Sequence, residues 1–160
     1  MQTNAAEVAR VHDLTHDVRE LDLRLISPAT LDFQPGQFIS FEIPIEGRPH
    51  PITRAYSIAS PPSQRGLLTL VFNRVDHGPG STFLFGLKPG DQVHFKGPAG
   101  SFRLRDDAPR NLLFVATGTG IAPIRSMLHT LLPQATEQVV SLFWGLRAQR
   151  DLYYQEELHE

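Results

Sequence analysis

Residues 54–57 of this 160-residue chain place a cation, an aromatic ring and a hydroxyl within four positions. Arg54 can make charge-assisted hydrogen bonds to a phosphate, and the ring of Tyr56 can stack on a flat ligand. In an extended strand these two side chains project to one face, and Ser57 projects to the other unless the strand ends or bends there. The pattern predicts a site for a planar ring system joined to phosphate groups. An ordinary cross-strand pair of arginine and tyrosine would show the same residues.

A second cluster of small residues, ATGTGIAP at 116–123, follows the apolar run NLLFVA. Its glycines permit a tight strand-to-helix turn with or without a ligand, and a helix N-terminus suits a pyrophosphate. The loop is not a Rossmann fingerprint, because Pro123 stands where the third glycine would be and no acidic residue ends the next strand. Arg147 stands there instead, and it either contacts a nucleotide or is simply solvated.

Two kinds of hydrophobic pattern indicate the elements that position these residues. Before residue 105, apolar residues alternate with polar ones at 21–25, 39–45, 68–72 and 93–95, and clusters such as SPPSQRG, DHGPGS and LKPGD separate them. Short strands with turns between them predict an all-β antiparallel barrel or sandwich. Closing the sheet into a barrel would also remove its exposed edges.

After the connector RDDAPR at 105–110 the pattern changes to strand, helix, strand, helix. NLLFVA reads as a parallel strand covered on both faces, and Pro123 fits the first position of a helix that buries Ile121, Ile124, Leu128 and Leu131. QVVSLFWG is the next strand, and Asp151 is expected to cap a second helix. We therefore predict a barrel over 1–107 and the N-terminal part of a parallel-sheet α/β nucleotide-binding domain over 108–160.

Composition excludes several classes of protein and site. Fifteen basic and 17 acidic residues give a net charge of −2 without a basic block, so neither a nucleic acid nor a membrane surface is expected as a partner. The absence of cysteine excludes disulfides, cysteine-ligated iron–sulfur clusters and thiol nucleophiles within the chain. The seven histidines show no metal-ligand spacing, so no metal site is predicted. The start of the chain lacks a signal-peptide pattern, so a cytoplasmic location is expected.

Taken in order, four motifs make the chain resemble the ferredoxin–NADP reductase superfamily of flavoprotein reductases. They are the Arg-x-Tyr-Ser motif at 54–57, LVFNRV followed by Gly80-Ser81-Thr82, Gly97-Pro98-Ala99-Gly100-Ser101-Phe102, and the loop at 116–123 with the segment GLRAQRDLYYQEEL after the next strand. The resemblance implies hydride transfer from NAD(P)H to a flavin and then electron transfer to an acceptor protein: a ferredoxin, a flavodoxin or an oxygenase component.

The resemblance also implies the residues of the site. FAD, preferred to FMN because the glycine–serine turn has a longer phosphate chain to hold, is expected to contact Arg54, Ala55, Tyr56, Ser57, Val71, Phe72, Asn73, Gly80, Ser81 and Thr82. NAD(P)H is expected to contact Thr117, Gly118, Thr119, Gly120, Ile121, Ala122, Pro123 and Arg147. Two residues are expected to take part in the reaction: Ser57 at the reactive nitrogen of the flavin and Tyr56 against its ring.

Members of the superfamily continue through further parallel strands, so the chain is expected to be truncated at its C-terminus. A homo-oligomer completing the sheet is one possible outcome. An alternative function is a flavin-binding electron-transfer or interaction module without nicotinamide turnover. A barrel that binds a riboflavin-type ligand without redox work is disfavoured, because the loop at 116–123 would then be superfluous. The electron acceptor, the choice between NADH and NADPH, and the oligomeric state stay open.

Overall fold

The computed structural model describes residues 3–105, 111–134 and 138–159, the side chain of His159 excepted. Six antiparallel strands form the first unit, which we call the barrel (residues 3–99): β1 (Thr3–Asp13), β2 (Val18–Ser27), β3 (Phe38–Ile43), β4 (Ile52–Ser57), β5 (Leu67–Asn73) and β6 (Gln92–Ala99). Their order in the sheet is β4-β3-β6-β1-β2-β5. An antiparallel bridge between Ile58 and Leu70 joins the two outer strands, so the sheet closes on itself.

The alternating residues fill the interior of this barrel. Leu21, Leu23, Ile39, Leu68 and Leu70 are fully buried, and the core also contains buried phenylalanines. These are the side chains that the period-2 pattern places on one face of each strand. The predicted antiparallel barrel is therefore confirmed, although β1 was not foreseen and β3 ends two residues before Ile45.

One segment of the barrel differs from its prediction. The stretch DHGPGS was expected to be a turn, but α1 (Pro79–Gly86) begins inside it. Pro79 occupies the first helical position, which its fixed φ angle and missing N–H favour, and no side chain caps the helix. Gly80, Ser81 and Thr82 consequently lie in the first turn of a helix rather than in a loop.

The second unit, which we call the α/β unit (residues 111–134 and 138–159), contains two parallel strands, β7 (Leu112–Thr117) and β8 (Val140–Gly145). A 3-10 turn at Gly118–Gly120 leads into α2 (Ile121–Leu131), so Pro123 is the third helical residue rather than the first. The buried face of α2 contains Ile121, Ile124 and Leu128, as its spacing predicted. The partial α/β architecture is confirmed, whereas the predicted domain boundary at 107/108 lies outside the described residues.

Two further expectations about the α/β unit are wrong. Asp151 does not cap a helix: it ends a 3-10 turn at Gln149–Asp151, and α3 (Gln155–His159) begins four residues later. Tyr154 has a positive φ of 57°, so the 3-10 turn and α3 do not form one continuous helix. In addition, β7 is covered on one face only, because Leu113 and Val115 are exposed.

Helix α2 docks the α/β unit onto the barrel. Arg125 Nη1 donates to the Ala59 carbonyl at 3.1 Å, and the buried Ser126 hydroxyl donates to the Ser60 carbonyl at 2.7 Å. Arg125 also forms a bidentate ion pair with Glu157 of α3. The two units therefore meet along the segment that follows β4, which brings the loop before α2 close to the Arg-x-Tyr-Ser motif. No helix in the described parts of the chain is long and apolar enough to cross a membrane.

Candidate functional site

A cavity of about 480 Å³ lies where the barrel meets the start of α2. Four segments that sequence analysis singled out meet in its wall: β4 contributes Arg54, Ala55, Tyr56 and Ser57, β5 contributes Val71, Phe72 and Asn73, α1 contributes Gly80 and Ser81, and the loop before α2 contributes Thr119, Gly120, Ala122 and Pro123. The four residues of β4 are consecutive and are the last four of the strand. Val75, Gly78 and Pro79 complete this part of the wall.

Positive charge is concentrated on one side of the cavity. Arg54 is exposed, and within the described residues it forms no ion pair; its Nη1 donates to the Thr53 carbonyl at 2.9 Å. The N-terminus of α1 faces the same space. The N–H of Thr82 donates to the Gly78 carbonyl, whereas the N–H groups of Gly80 and Ser81 have no acceptor in the described chain. A guanidinium and a helix N-terminus side by side suit a phosphate or pyrophosphate.

Gly80 permits this close approach of α1 to β4. A Cβ atom at that position would lie 2.5 Å from the Tyr56 hydroxyl oxygen and 3.0 Å from Arg54 Cγ. A side chain at this position would therefore require the Tyr56 hydroxyl to move and Arg54 to shift by a few tenths of an ångström. Packing thus favours glycine in the Gly80-Ser81-Thr82 motif, independently of any ligand.

The hydroxyl of Ser81 makes its hydrogen bonds within the loop before α1. It donates to the carbonyl oxygens of Val75 at 2.9 Å and Gly78 at 3.1 Å, and it accepts from the N–H of Val75 at 3.0 Å. These bonds shape the loop before α1, so Ser81 offers a ligand its backbone N–H rather than its side chain.

Tyr56 presents a neutral ring to the cavity. Its side chain is half-buried and packs edge-on against Phe72, with 5.8 Å between ring centroids. It also packs at a tilt of 58° against Phe41, with 6.0 Å between ring centroids. Burial raises the pKa of Tyr56, and the nearby charge of Arg54 offsets this only in part. The phenol therefore stays protonated at neutral pH, and neighbouring aromatic rings fix its orientation.

A second cavity, of about 580 Å³, adjoins the first, and Asn73 and Thr119 line both. The Thr119 hydroxyl donates to Asn73 Oδ1 at 3.4 Å, which links the glycine loop to the end of β5. Thr117, Gly118 and Arg147 belong to this second cavity. A ligand in one cavity therefore lies next to a ligand in the other.

The conformation of the glycine loop is fixed from the α/β unit. Gly118 has a φ of +50°, in the region that glycine adopts most readily. Its carbonyl oxygen accepts hydrogen bonds from Trp144 Nε1 at 2.9 Å and from the Tyr153 hydroxyl at 3.2 Å. Two aromatic side chains thus hold this carbonyl in place, an arrangement that the loop sequence alone did not indicate.

Of the residues predicted for the site, Ile121 and Thr82 line neither of these two cavities, whereas Arg147 lines the second. Ile121 is fully buried in the core, and its N–H donates to the carbonyls of Gly118 and Thr119. Thr82 lines a separate cavity of about 300 Å³ on the far side of α1. The guanidinium of Arg147 is exposed but occupied, because it donates to Asp17 at 2.6 Å and to Asp151 at 3.2 Å. Sequence analysis missed Asp17, which lies 130 positions from Arg147, and it interpreted Asp151 as a helix cap.

Comparisons with known proteins identify the domain families that the chain matches. Residues 5–104 match the family model described as an oxidoreductase FAD-binding domain, and residues 114–160 match the oxidoreductase NAD-binding domain. The chain is 36% identical over 153 residues to ferredoxin–NADP reductase B of Sorangium cellulosum (strain So ce56), covering 96% of this chain and 62% of that protein. It is 35% identical to the phenol hydroxylase P5 protein of Acinetobacter pittii (strain PHEA-2), covering 98% of this chain and 43% of the relative.

Among solved structures, the cytochrome P450 reductase GcoB of Amycolatopsis superposes with a TM-score of 0.87 at 29% identity. That comparison covers 99% of this chain and 47% of the reductase. The chain thus spans from about two fifths to about three fifths of the length of the two curated relatives named above.

Proposed function

The chain belongs to the ferredoxin–NADP reductase superfamily of flavoprotein oxidoreductases, and on that premise we propose that it binds FAD in the first cavity and NAD(P)H in the second. The observation that carries the proposal is the convergence of Arg54, Tyr56 and the N-terminus of α1 on one cavity beside the glycine loop. When bound, a flavin accepts hydride from a reduced nicotinamide and passes electrons to an acceptor, so the protein supplies alignment and electrostatics rather than an acid/base pair.

The residues around the first cavity fit a flavin dinucleotide. Arg54 has no anionic partner in the described structure. Together with the N–H groups of Gly80 and Ser81, it offers enough hydrogen-bond donors for a diphosphate. Tyr56 supplies an uncharged ring, and the half-buried Ser57 supplies a hydroxyl at the end of β4. FAD is preferred to FMN because two phosphates use both the guanidinium and the helix N-terminus. Acid extraction and chromatography of the bound flavin would distinguish them.

The second cavity supports a place for the nicotinamide cofactor. Thr117, Gly118 and Thr119 line it at the end of β7, and Asn73 and Thr119 separate it from the flavin cavity. A nicotinamide held there would lie beside the flavin ring, which hydride transfer requires. Thr119 and Asn73 would position it. Arg147 could offer the phosphates its Nη1 group while its Nε and Nη2 atoms keep Asp151 and Asp17.

The electron acceptor is proposed to be a protein. The Sorangium relative is named a ferredoxin–NADP reductase, and the terephthalate 1,2-dioxygenase reductase component 1 of Comamonas is 36% identical over 137 residues. A ferredoxin, a flavodoxin or an oxygenase component is therefore the class of acceptor to test. Reduction of these purified proteins by the flavin-loaded chain, followed optically, would measure the preference.

A flavin-bearing module without nicotinamide turnover is a second candidate, favoured by one observation. Within the described residues, the parallel sheet has two strands, and one of its faces leaves Leu113, Val115 and Phe143 exposed. Such a unit offers a dinucleotide only the loops after β7 and β8. On this alternative the chain binds flavin normally but is reduced slowly by nicotinamides.

Two measurements test the proposal. Purified, untagged protein should show the visible absorption of a bound flavin, or should bind added FAD in calorimetry; a colourless protein that binds neither FAD nor FMN would exclude it. Stopped-flow mixing of the flavin-loaded protein with NADH and NADPH then separates the two candidates. Rapid stoichiometric reduction identifies a reductase, whereas slow reduction at saturating nucleotide identifies the electron-transfer module.

A further inference from the structure

Three side chains that are far apart in sequence meet at the junction of the two units. His16, Asp17 and Asp151 each present one nitrogen or oxygen atom, and these three atoms lie within 4.8 Å of one another. His16 and Asp17 belong to the hairpin between β1 and β2, whereas Asp151 ends the 3-10 turn after β8. The histidine spacing predicted no metal site, because the cluster exists only when the α/β unit docks on the barrel.

The two carboxylates use their oxygen atoms differently. Both Oδ2 atoms accept hydrogen bonds from Arg147, at 2.6 Å for Asp17 and 3.2 Å for Asp151. Both Oδ1 atoms face the imidazole of His16: Asp17 Oδ1 lies 3.7 Å from Nε2, and Asp151 Oδ1 lies 3.8 Å from Nδ1. These separations are too long for hydrogen bonds. The two oxygens face different ring nitrogens, so one ion could use only one nitrogen of His16 together with the two carboxylates.

The burial of Asp151 is a second, independent observation. The residue is 4% exposed, and its Oδ1 atom is buried without any hydrogen-bond partner in the described structure. A buried carboxylate oxygen left without a partner is unfavourable, and a cation relieves the cost. By contrast, Asp17 Oδ1 already accepts a hydrogen bond from the Thr15 hydroxyl at 3.1 Å.

The charges and donor atoms of the cluster define the ion. Arg147 balances one of the two carboxylates, so one negative charge remains when His16 is neutral. We propose that His16, Asp17 and Asp151 bind one divalent first-row transition cation, with Zn²⁺ as the best fit. An imidazole nitrogen and two carboxylates suit this class of ion, whereas Mg²⁺ prefers oxygen ligands alone. The proposal does not depend on flavin binding.

The ligand atoms must move closer together to bind an ion. Zinc bonds of about 2.0–2.2 Å to nitrogen and oxygen place tetrahedral ligand atoms roughly 3.4 Å apart. With one ligand atom from each residue, the three atoms lie within 4.8 Å of one another, so a contraction of up to about 1.4 Å is needed, and the exposed side chain of His16 can rotate to supply it. Asp17 and Asp151 also line the cavity of about 580 Å³, from which water can fill the fourth position. The ion would join the barrel hairpin to the α/β unit and stabilise their docking.

Calorimetric titration of Zn²⁺ into chelator-treated, untagged protein tests this site. Wild type should bind one equivalent of Zn²⁺. His16→Ala and Asp151→Asn should each weaken Zn²⁺ binding at least about tenfold, because even residues that only hydrogen-bond to metal ligands contribute that much to affinity. His12→Ala is the matched control, because His12 is equally exposed and its Nδ1 lies 3.8 Å from Glu20. If Asp151→Asn fails to fold, the Zn²⁺ titration is done with Asp17→Asn and with His16→Ala, which changes an exposed residue.

Independent readouts are the Co²⁺ absorption spectrum and the melting temperature with and without Zn²⁺. An intense Co²⁺ band and a Zn²⁺-dependent rise in melting temperature, both lost in His16→Ala and kept in His12→Ala, would support the site. Three results would overturn it. The first two are a wild type that does not bind Zn²⁺ stoichiometrically and an equal loss of Zn²⁺ binding in the two histidine variants. The third is a wild type that is stabilised by acid but not by Zn²⁺, with the acid stabilisation absent in His16→Ala. The last result would mean that protonated His16 alone bridges the carboxylates.

Discussion

The barrel and the α/β unit bury their apolar side chains to very different extents. In the barrel, six strands close around a core in which Leu21, Leu23 and Leu70 have no exposed surface. In the α/β unit, α2 covers one face of the two-stranded sheet, while Leu113 and Phe143 on the other face are 64% and 67% exposed. The proposed flavin site therefore lies mainly on the self-contained part of the molecule, and the proposed nucleotide site depends more on how the second part is held.

The largest predicted effect tests the difference in burial between the barrel and the α/β unit, and it concerns the free energy of unfolding. Leu70→Ala should lower the free energy of unfolding by about 2–5 kcal/mol, because it opens a cavity in a closed core. Leu113→Ala removes the same atoms from an exposed strand position and should cost less than about 1 kcal/mol. Urea denaturation followed by circular dichroism measures both. Equal losses would mean that the face of β7 is covered in solution and that the contrast is wrong.

The next effect concerns the cation of the proposed flavin site. Arg54→Ala should weaken FAD binding by about 1.5–3 kcal/mol, roughly 10- to 150-fold, because it removes a charge-assisted hydrogen-bond donor from the phosphates. Arg65→Ala is the control, since Arg65 is exposed and pairs with Asp32 away from the cavity. Fluorescence titration with FAD gives both affinities. An Arg54→Ala protein that remains fully yellow through purification would contradict the assignment.

A smaller effect is expected from a methyl group at the first turn of α1. Gly80→Ala places a Cβ 2.5 Å from the Tyr56 hydroxyl oxygen, so the ring must move and FAD affinity should fall about tenfold. Gly86→Ala is matched in helix and residue type, but its Cβ would have no neighbour within 4 Å. The control should therefore bind FAD normally. Equal affinities in the two variants would show that α1 can shift without disturbing the site.

The smallest predicted effect is a pH dependence confined to the α/β unit and its docking. Burial alone would raise the pKa of Glu157, but the hydrogen bonds and charges of Arg125 and His129 outweigh it and hold this pKa below its usual 4.5. Because the folded-state pKa is the lower one, the carboxylate contributes stability above about pH 4.5 and loses it as the pH falls through the folded value.

Glu157→Gln should remove this contribution, so its stability deficit relative to wild type should shrink below about pH 4. Glu156→Gln, which changes an exposed neighbour, should leave the pH profile unchanged. Thermal melts across the acid range measure both variants. A deficit that is constant with pH would indicate that Glu157 acts through packing rather than charge.

Sequence patterns predicted the barrel and most of its strands because period-2 alternation reports directly on a one-sided core. They did not predict α1, since Pro79 is its main start signal and no side chain caps it, so a proline–glycine cluster looked like a turn. Asp151 looked like a helix cap because a short polar residue before a helical pattern usually is one. Its actual environment combines a local ion pair with Arg147, four residues earlier, and the proximity of His16 and Asp17 from a distant hairpin, which no local pattern encodes.

For the proposed site, the sequence identified the residues that cluster. It did not show which of their hydrogen-bonding groups already have partners within the protein. Arg54 and Tyr56 were identifiable because their types and spacing match a ligand. The hydrogen bond from the Ser81 hydroxyl to the Val75 carbonyl depends on how α1 begins. Motifs therefore predicted which segments converge, whereas hydrogen bonding decides which atoms of them remain available.

The bond from Trp144 to the Gly118 carbonyl has an optical consequence. Trp144 is the only tryptophan of the chain, and its indole also packs edge-on against Tyr153 at 4.7 Å. Its fluorescence emission therefore arises from a single indole held against the backbone of the glycine loop. A ligand that moves this loop would change the wavelength or intensity of that emission, which makes the native protein its own reporter of loop movement without any attached dye.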